Sequence, residues 1–253
     1  MPYIDLHKGN LQEEHICCGF SDKKCAEGYA MKKSWLAGQF DQGYVFRRLD
    51  ERAKVFIEYG PAETAWMPVS APGYLMLGCF WVSGSYKSKG HGKALLESVI
   101  SDASTQGKLG LAAVVGSKKY HFMSETKWLL AHGFVERDTT KAGFSLLTLG
   151  VDGKSGEACF TAPAKTGTCP ESTGLTVYYS NRCPFCEYYV RETFTETAAK
   201  HGLPLTIHKI DTLEKARSAP TPATIFSLFR DGRYITTDLG VCLDNRFEKV
   251  FSD

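Results

Sequence analysis

Two hydrophobic periods divide the chain into elements. The run Tyr74-Leu-Met-Leu-Gly-Cys-Phe-Trp-Val82 is apolar almost throughout and predicts a buried strand. A turn rich in Ser, Gly and Lys follows. From Ala94 to Gln106 the apolar positions recur at helical spacing, and Gly107 closes that helix. Residues 109–115 are again unbroken and apolar, the pattern of a parallel strand covered on both faces. Upstream, residues 25–40 carry Ala26, Tyr29, Ala30, Trp35 and Leu36 near helical spacing with lysines on the other side, which predicts an amphipathic helix. Residues 3–18 read as a short strand region with Ile16-Cys17-Cys18 as its apolar end. Residues 44–49 and 55–59 read as strands, the second ended by Gly60-Pro61. Residues 122–132 read as a helix, and two strands follow, ending near Leu149.

Beyond Val151 the composition shifts to Gly, Ser, Thr, Ala, Lys and Pro. Residues 152–172 therefore read as a linker, between a domain of residues 1–151 and one of residues 173–253. Phe160 is the linker's only large apolar residue, a candidate docking contact. The second domain opens with the strand 175–179, then Cys183-Pro-Phe-Cys186 and a helix to about Lys200. A strand at 205–208 and an apolar run at 223–229 follow. Asp231-Gly232 then makes a hairpin turn into 233–236, and residues 245–251 close the chain as a helix.

Chemistry concentrates at the turn after Val82. Lys87-x-x-Gly90-x-Gly92 stands between a strand and a helix. Glycines there let the backbone approach a ligand, and the first helical turn offers unpaired N–H donors and partial positive charge. The expected anion is a phosphate.

Those residues resemble motif A of the GNAT acetyltransferases, with Val82, Lys87, Gly90 and Gly92 on its positions and Lys87 replacing the usual Arg or Gln. Residues 14–18 (EHICC), 55–59 (VFIEY) and 80–84 (FWVSG) extend the resemblance to YoaP-type GNAT proteins, over nearly the whole chain except the linker. The resemblance implies an α/β (α+β) chain: a GNAT acyltransferase fold, then a smaller thioredoxin-like domain. It implies acetyl-CoA as cofactor, with Ser88, Lys89, His91 and Lys93 joining Lys87, Gly90 and Gly92 around the pyrophosphate. Trp81 and Val82 would offer backbone groups to the pantetheine amides, between strands that splay apart. It also implies a cis proline facing the cysteines, for which Pro222 fits best and Pro220 second.

Acyl transfer also needs a base for the ammonium and an acid for the leaving thiolate. The position where many GNAT enzymes hold a tyrosine acid is Leu129, a departure from that pattern; Tyr120, His121 and Ser124 lie near it in sequence. For the base, Glu58 and Glu63 flank the centre of the sheet, Glu58 within an apolar strand. Cys183 at a helix start would be stabilised as a thiolate and Cys186 would resolve it, a redox pair. The expected activity is acetyl transfer from acetyl-CoA to an amine of a small molecule or peptide. The alternative is a thiol redox protein whose GNAT domain only binds coenzyme A.

Composition narrows this further. At 253 residues and 43% apolar the chain carries sizeable cores, and a net charge of +2 argues for neither nucleic acid nor membrane as partner. No apolar run spans a bilayer and no signal-peptide core is present, so a cytoplasmic location is expected. Of nine cysteines, Cys17, Cys18, Cys25 and Cys79 lie in or near apolar segments as small core residues. A four-thiolate zinc site would need Cys159 and Cys169 to converge on Cys183 and Cys186 from the linker; no metal is expected.

Overall fold

The computed structural model of the chain describes residues 2–16, 19–117, 120 and 122–251. Its contacts divide the chain into two units: residues 1–18, 36–65 and 69–160, and residues 19–35, 66–68 and 161–253.

The first unit is built on a seven-stranded sheet. Its strands are β1 (Tyr3–Asp5), β2 (Val45–Leu49), β3 (Val55–Pro61), β5 (Tyr74–Val82), β6 (Gly110–Gly116), β7 (Val135–Thr139) and β8 (Phe144–Gly150), in the order β1-β2-β3-β5-β6-β8-β7. Short β4 (Val69–Ser70) pairs apart from it, with β9 (Cys159–Phe160). The helices are α1 (Ala26–Phe40), α2 (His91–Thr105) and α3 (Thr126–Ala131); only the last residues of α1, from Leu36, count with this unit. One pairing is parallel, β5 with β6; all others in the sheet are antiparallel. Leu95, Leu96 and Val99 of α2 and Leu129 of α3 pack on Ile57, Tyr59, Leu75, Leu77, Leu111 and Ala113 to form the core. The α2 period read from the sequence is therefore the face laid on the sheet.

Boundaries differ from the sequence expectations for local reasons. β3 runs on through Gly60 and Pro61, because Gly60 pairs with Met76 and leaves room for the Tyr44 ring. The helix at 94–106 begins three residues earlier, since Gly90 at φ 83° turns the chain into it. The expected helix at 122–132 is cut to Thr126–Ala131, with Phe122 itself at φ 69°. In the stretch 152–172, β9 and α4 (Ala162–Lys165) are regular, and Phe160 is buried with its N–H on Asp138 (2.8 Å). Cys17 and Cys18, expected to end a strand region, lie outside the described residues, and among the described residues of that region only β1 is a strand.

The second unit holds a four-stranded sheet, β10 (Leu175–Tyr179), β11 (Leu205–Lys209), β12 (Phe226–Arg230) and β13 (Arg233–Thr236), in the order β11-β10-β12-β13. β11 lies parallel to β10, and β12 and β13 run antiparallel. Asp231 (φ 48°) and Gly232 (φ 77°) make the predicted hairpin turn, both left-handed as a mirror-image type I turn requires. Between β10 and β11 run α5 (Cys186–Tyr188), π-helical turns at Tyr189–Phe194 and α6 (Thr195–Lys200). α7 (Leu213–Arg217) follows β11, and α8 (Asp244–Phe251) closes the chain. No peptide bond among the described residues is cis, so neither Pro222 nor Pro220 has the expected isomer.

Candidate functional site

β5 and β6 are paired only at Tyr74–Gly110, Leu75–Leu111 and Met76–Ala112. Beyond that point both strands continue, β5 to Val82 and β6 to Gly116, without pairing to each other. Each is held on its other side, β5 by β3 as far as Val55–Val82 and β6 by β8 as far as Gly116–Phe144. The sheet therefore forks, and each arm presents backbone donors and acceptors that a partner must satisfy.

Which groups face the fork follows from the ladder. The Ser83 N–H donates to the Lys54 carbonyl (3.1 Å), and antiparallel pairs alternate between bonding and facing away. Trp81 is then turned toward β3, while Val82 and Phe80 turn their N–H and C=O to the fork. Val82 thus offers its backbone groups on the side where the expectation needs them. Trp81 is corrected, because its backbone is taken by the ladder and its side chain is 41% exposed. Phe80 presents the same backbone edge as Val82, which alternation along a strand does not reveal until its phase is known.

At the open end of β5 the chain turns through Gly84 (φ 62°), Ser88 (φ 61°) and Gly90 (φ 83°) into α2. The first helical bond runs from the Ala94 N–H to the Gly90 carbonyl (3.0 Å), so the N–H groups of His91, Gly92 and Lys93 precede the ladder. Lys87, Ser88, Lys89 and Gly90 are exposed around them. Lys89 sits over the Tyr86 ring (5.7 Å), and Lys93 reaches Glu97 (3.7 Å). A Cβ on Gly92 would meet the Trp128 ring at 3.6 Å and the Phe80 ring at 3.9 Å, ordinary contact distances, so that position has room for a side chain. The His91 side chain is corrected: it is buried, with Nδ1 on the Tyr3 hydroxyl (2.8 Å) and its ring edge-on to Tyr3 and Tyr86. His91 anchors the turn and has only its N–H to offer a ligand.

Glu58 is 2% exposed on β3, on the sheet face opposite Ile57 and Tyr59, which pack under α2. The Tyr44 phenol donates to its Oε2 (2.9 Å). Ile57 pairs with Phe80 and Tyr59 with Leu77, so Glu58 faces a bulge of β5 at Gly78-Cys79, just past the fork point. Glu63 is exposed and spent on the loop, accepting from the Gly73 N–H (2.7 Å). Leu129 is fully buried in the core and has no acid to offer. Tyr120 is half-buried beside Phe144 (5.5 Å), Ser124 is half-buried, and His121 lies outside the described residues.

In the second unit the Cys183–Cys186 pair is sealed. Cys183 is 5% exposed and Cys186 wholly buried, and both thiols are free. The helix begins at Cys186 rather than Cys183. Burial, then the neighbouring Cys186 thiol, push the Cys183 thiol well above its ordinary value, so the expected thiolate at a helix start is corrected. The N-terminal half of α1 and the segment before it make the seal. A Cβ on Gly28 would collide with the Pro184 carbonyl, and one on Gly19 would lie 2.7 Å from the Pro184 ring. Cys25, a buried core residue as expected, interacts electrostatically with Cys183, and burial pushes its own thiol up to about 11. Cys186 Sγ donates to the Ile225 carbonyl (3.4 Å). Buried Lys32 also lies near Cys183. The one grouping of metal-competent side chains among the described residues is His201, Asp244 and Glu248, and Asp244 is already ion-paired to Lys200 and His201.

No helix among the described residues is long and apolar enough to cross a membrane. A family profile described as YoaP-like matches residues 204–249. The N-acetyltransferase YoaP of Bacillus subtilis (strain 168), itself described as uncharacterized, is 37% identical over 252 residues, covering 100% of this chain and 99% of that protein. Among solved structures, the ribosomal-protein-S18-alanine N-acetyltransferase of Escherichia coli matches with a TM-score of 0.38 and 17% identity, over 62% of this chain and 96% of that one. The PaiA N-acetyltransferase of Thermoplasma acidophilum, solved in complex with coenzyme A, matches with a TM-score of 0.39 and 15% identity, over 59% and 99%.

Proposed function

The chain belongs to the YoaP-like N-acetyltransferases, and from that premise we propose that it moves the acetyl group of acetyl-CoA to an amine of a small-molecule or peptide acceptor. One observation carries the reading. The parallel pair β5–β6 ends at Met76–Ala112, and the opened β5 arm leads directly into the Gly90 turn and the N-terminus of α2. A long ligand with amides at one end and a pyrophosphate at the other fits that sequence of groups. Val82 and Phe80 would pair with the amides. The N–H groups of His91, Gly92 and Lys93, with the Lys87 and Lys89 ammonium groups and Ser88, would receive the diphosphate. Coenzyme A is such a molecule, and when bound it supplies the thioester.

Glu58 is the base in this reading, because it is the buried carboxylate beside the fork. Residues 173–253 form the accessory, thioredoxin-like domain of the proposal, supported by the order β11-β10-β12-β13 with one parallel pair. Residues 1–151 are the acetyltransferase domain and 152–172 the connection. A cytoplasmic location agrees with the free thiols. Burial of Cys183 weighs against the redox alternative.

The test is turnover with a panel of primary amines: spermidine, tyramine, and peptides bearing a free N-terminal amine or a lysine. Free coenzyme A and the acetylated amine should appear in equal amounts, measured by mass spectrometry. Loss of acetyl-CoA at a rate independent of every amine would overturn the acceptor class.

A further inference from the structure

We infer that Tyr44 is a catalytic residue of the transfer, acting as the proton relay between the substrate and buried Glu58. The inference rests on the reading of Glu58 as base. A carboxylate that is 2% exposed has almost no surface with which to touch an ammonium or a thiolate. Its proton must pass through a neighbour, and the Tyr44 hydroxyl, 2.9 Å from Oε2, belongs to a half-buried side chain immediately before β2.

The backbone is shaped around this contact. The Tyr44 ring crosses β3 and β5 where both strands carry glycine. A Cβ on Gly60 would lie 2.7 Å from Tyr44 Cδ2, and one on Gly78 would lie 2.7 Å from Tyr44 Oη and 3.2 Å from Glu58 Cβ. Gly78 belongs to the bulge of β5 opposite Glu58, two residues past Met76, where the fork opens. Gly78 has its ordinary negative φ, so the bulge does not demand glycine for its backbone there. The space for the Tyr44–Glu58 pair does. The tyrosine that many related enzymes use as acid is here the core residue Leu129, so the chemistry needs a hydroxyl from elsewhere.

The step balances as follows. The acceptor ammonium first gives one proton to water. As the neutral amine attacks the thioester carbon, its N–H proton passes to the Tyr44 oxygen while the Tyr44 proton moves to Glu58. The C–N bond forms, the C–S bond breaks, and the thiolate takes the relayed proton back from Tyr44 as Glu58 returns its own. The products are the amide and the free thiol, and Tyr44 and Glu58 end as they began.

The experiment is a double-mutant cycle of Tyr44→Phe and Glu58→Gln, assayed with the most active amine of the spermidine, tyramine and peptide panel. Coenzyme A affinity is measured alongside by calorimetry. Each single variant should lose about 100-fold in kcat, with KM for acetyl-CoA and coenzyme A affinity unchanged. The double variant should lose no more than either single one, because the two groups move one proton. Gly78→Ala, which crowds the hydroxyl without removing it, should lower kcat in the same way. If Tyr44→Phe keeps full kcat while Glu58→Gln loses it, the relay is overturned and the base stands. If both keep it, the base itself is overturned. Additive losses, or weakened coenzyme A binding in Tyr44→Phe, overturn the relay in favour of separate or structural roles. Wild-type chain that acetylates no amine of the panel overturns it as well.

Discussion

Leu129 shows how far the chemistry of a position depends on its burial. It is wholly enclosed by the core under α2, so a phenol introduced there would be an overpacked side chain rather than an acid. Leu129→Tyr should cost about 1–3 kcal/mol in denaturant unfolding and give no gain in kcat. The thiols follow the same logic. Cys159 is exposed, whereas burial raises Cys25 to about 11 and pushes Cys183 and Cys242 well above their ordinary value. A raised thiol is a thiolate only in alkali, and only the thiolate attacks. At pH 7.5 iodoacetamide should therefore label Cys159 before Cys25, Cys183, Cys186 or Cys242, read by peptide mass spectrometry. Cys183 labelled first would restore the redox reading. The proposed diphosphate roles of Gly90, Gly92 and Lys87 could be read from spacing, because a glycine turn at a helix start has a mechanism visible in sequence. The proposed role of Tyr44 could not, since its partner Glu58 sits on the neighbouring strand β3 and register is not visible in sequence; the only trace of the pair was the glycines Gly60 and Gly78.

Among the elements, β5, β6, α1, α2 and the β12–β13 hairpin could be read from period and turn residues. The fork could not, because it is a pairing that stops, and hydrophobicity is the same on both sides of Met76. The seal over Pro184 was equally hidden: Gly19 and Gly28 read as ordinary small residues until the loop they admit is known. Gly28→Ala should cost about 1–3 kcal/mol and expose Cys183 to alkylation together, a coupling that distinguishes a seal from a general loss of helix stability. In the same unit, Lys200 and His201 hold the Asp244 carboxyl below its ordinary value of 3.8. A lowered folded-state value means that this contribution is complete above about pH 4 and is lost as pH falls through the folded value. The resonances of α8 should shift over that range in solution NMR. Asp244→Asn should show the low-pH positions at neutral pH, and identical spectra for the two chains at pH 7 would remove the pair from the account.

For the whole molecule, the proposed boundary near residue 152 rests on composition, and the contacts add something composition did not carry. Residues 19–35 and 66–68 count with the second unit although they precede most of the first. Residues 152–158 carry no strand or helix and are largely exposed, so trypsin should cut first after Lys154. The two fragments should then stay together on gel filtration, because the segment that seals Cys183 remains on the N-terminal fragment. Fragments that part and stay folded would contradict the seal. The central claim is that the fork and the Gly90 turn bind acetyl-CoA, and calorimetric titration of coenzyme A into the wild-type chain and into Gly92→Glu tests it most directly. Gly92 has room for a side chain, so the variant should fold, yet its carboxylate would stand among the N–H groups meant for the diphosphate. The account predicts one site in the wild-type chain and at least about 100-fold weaker binding in the variant, some 2.7 kcal/mol by the affinity scale. Equal affinity in the two chains, or none in the wild type, would contradict it.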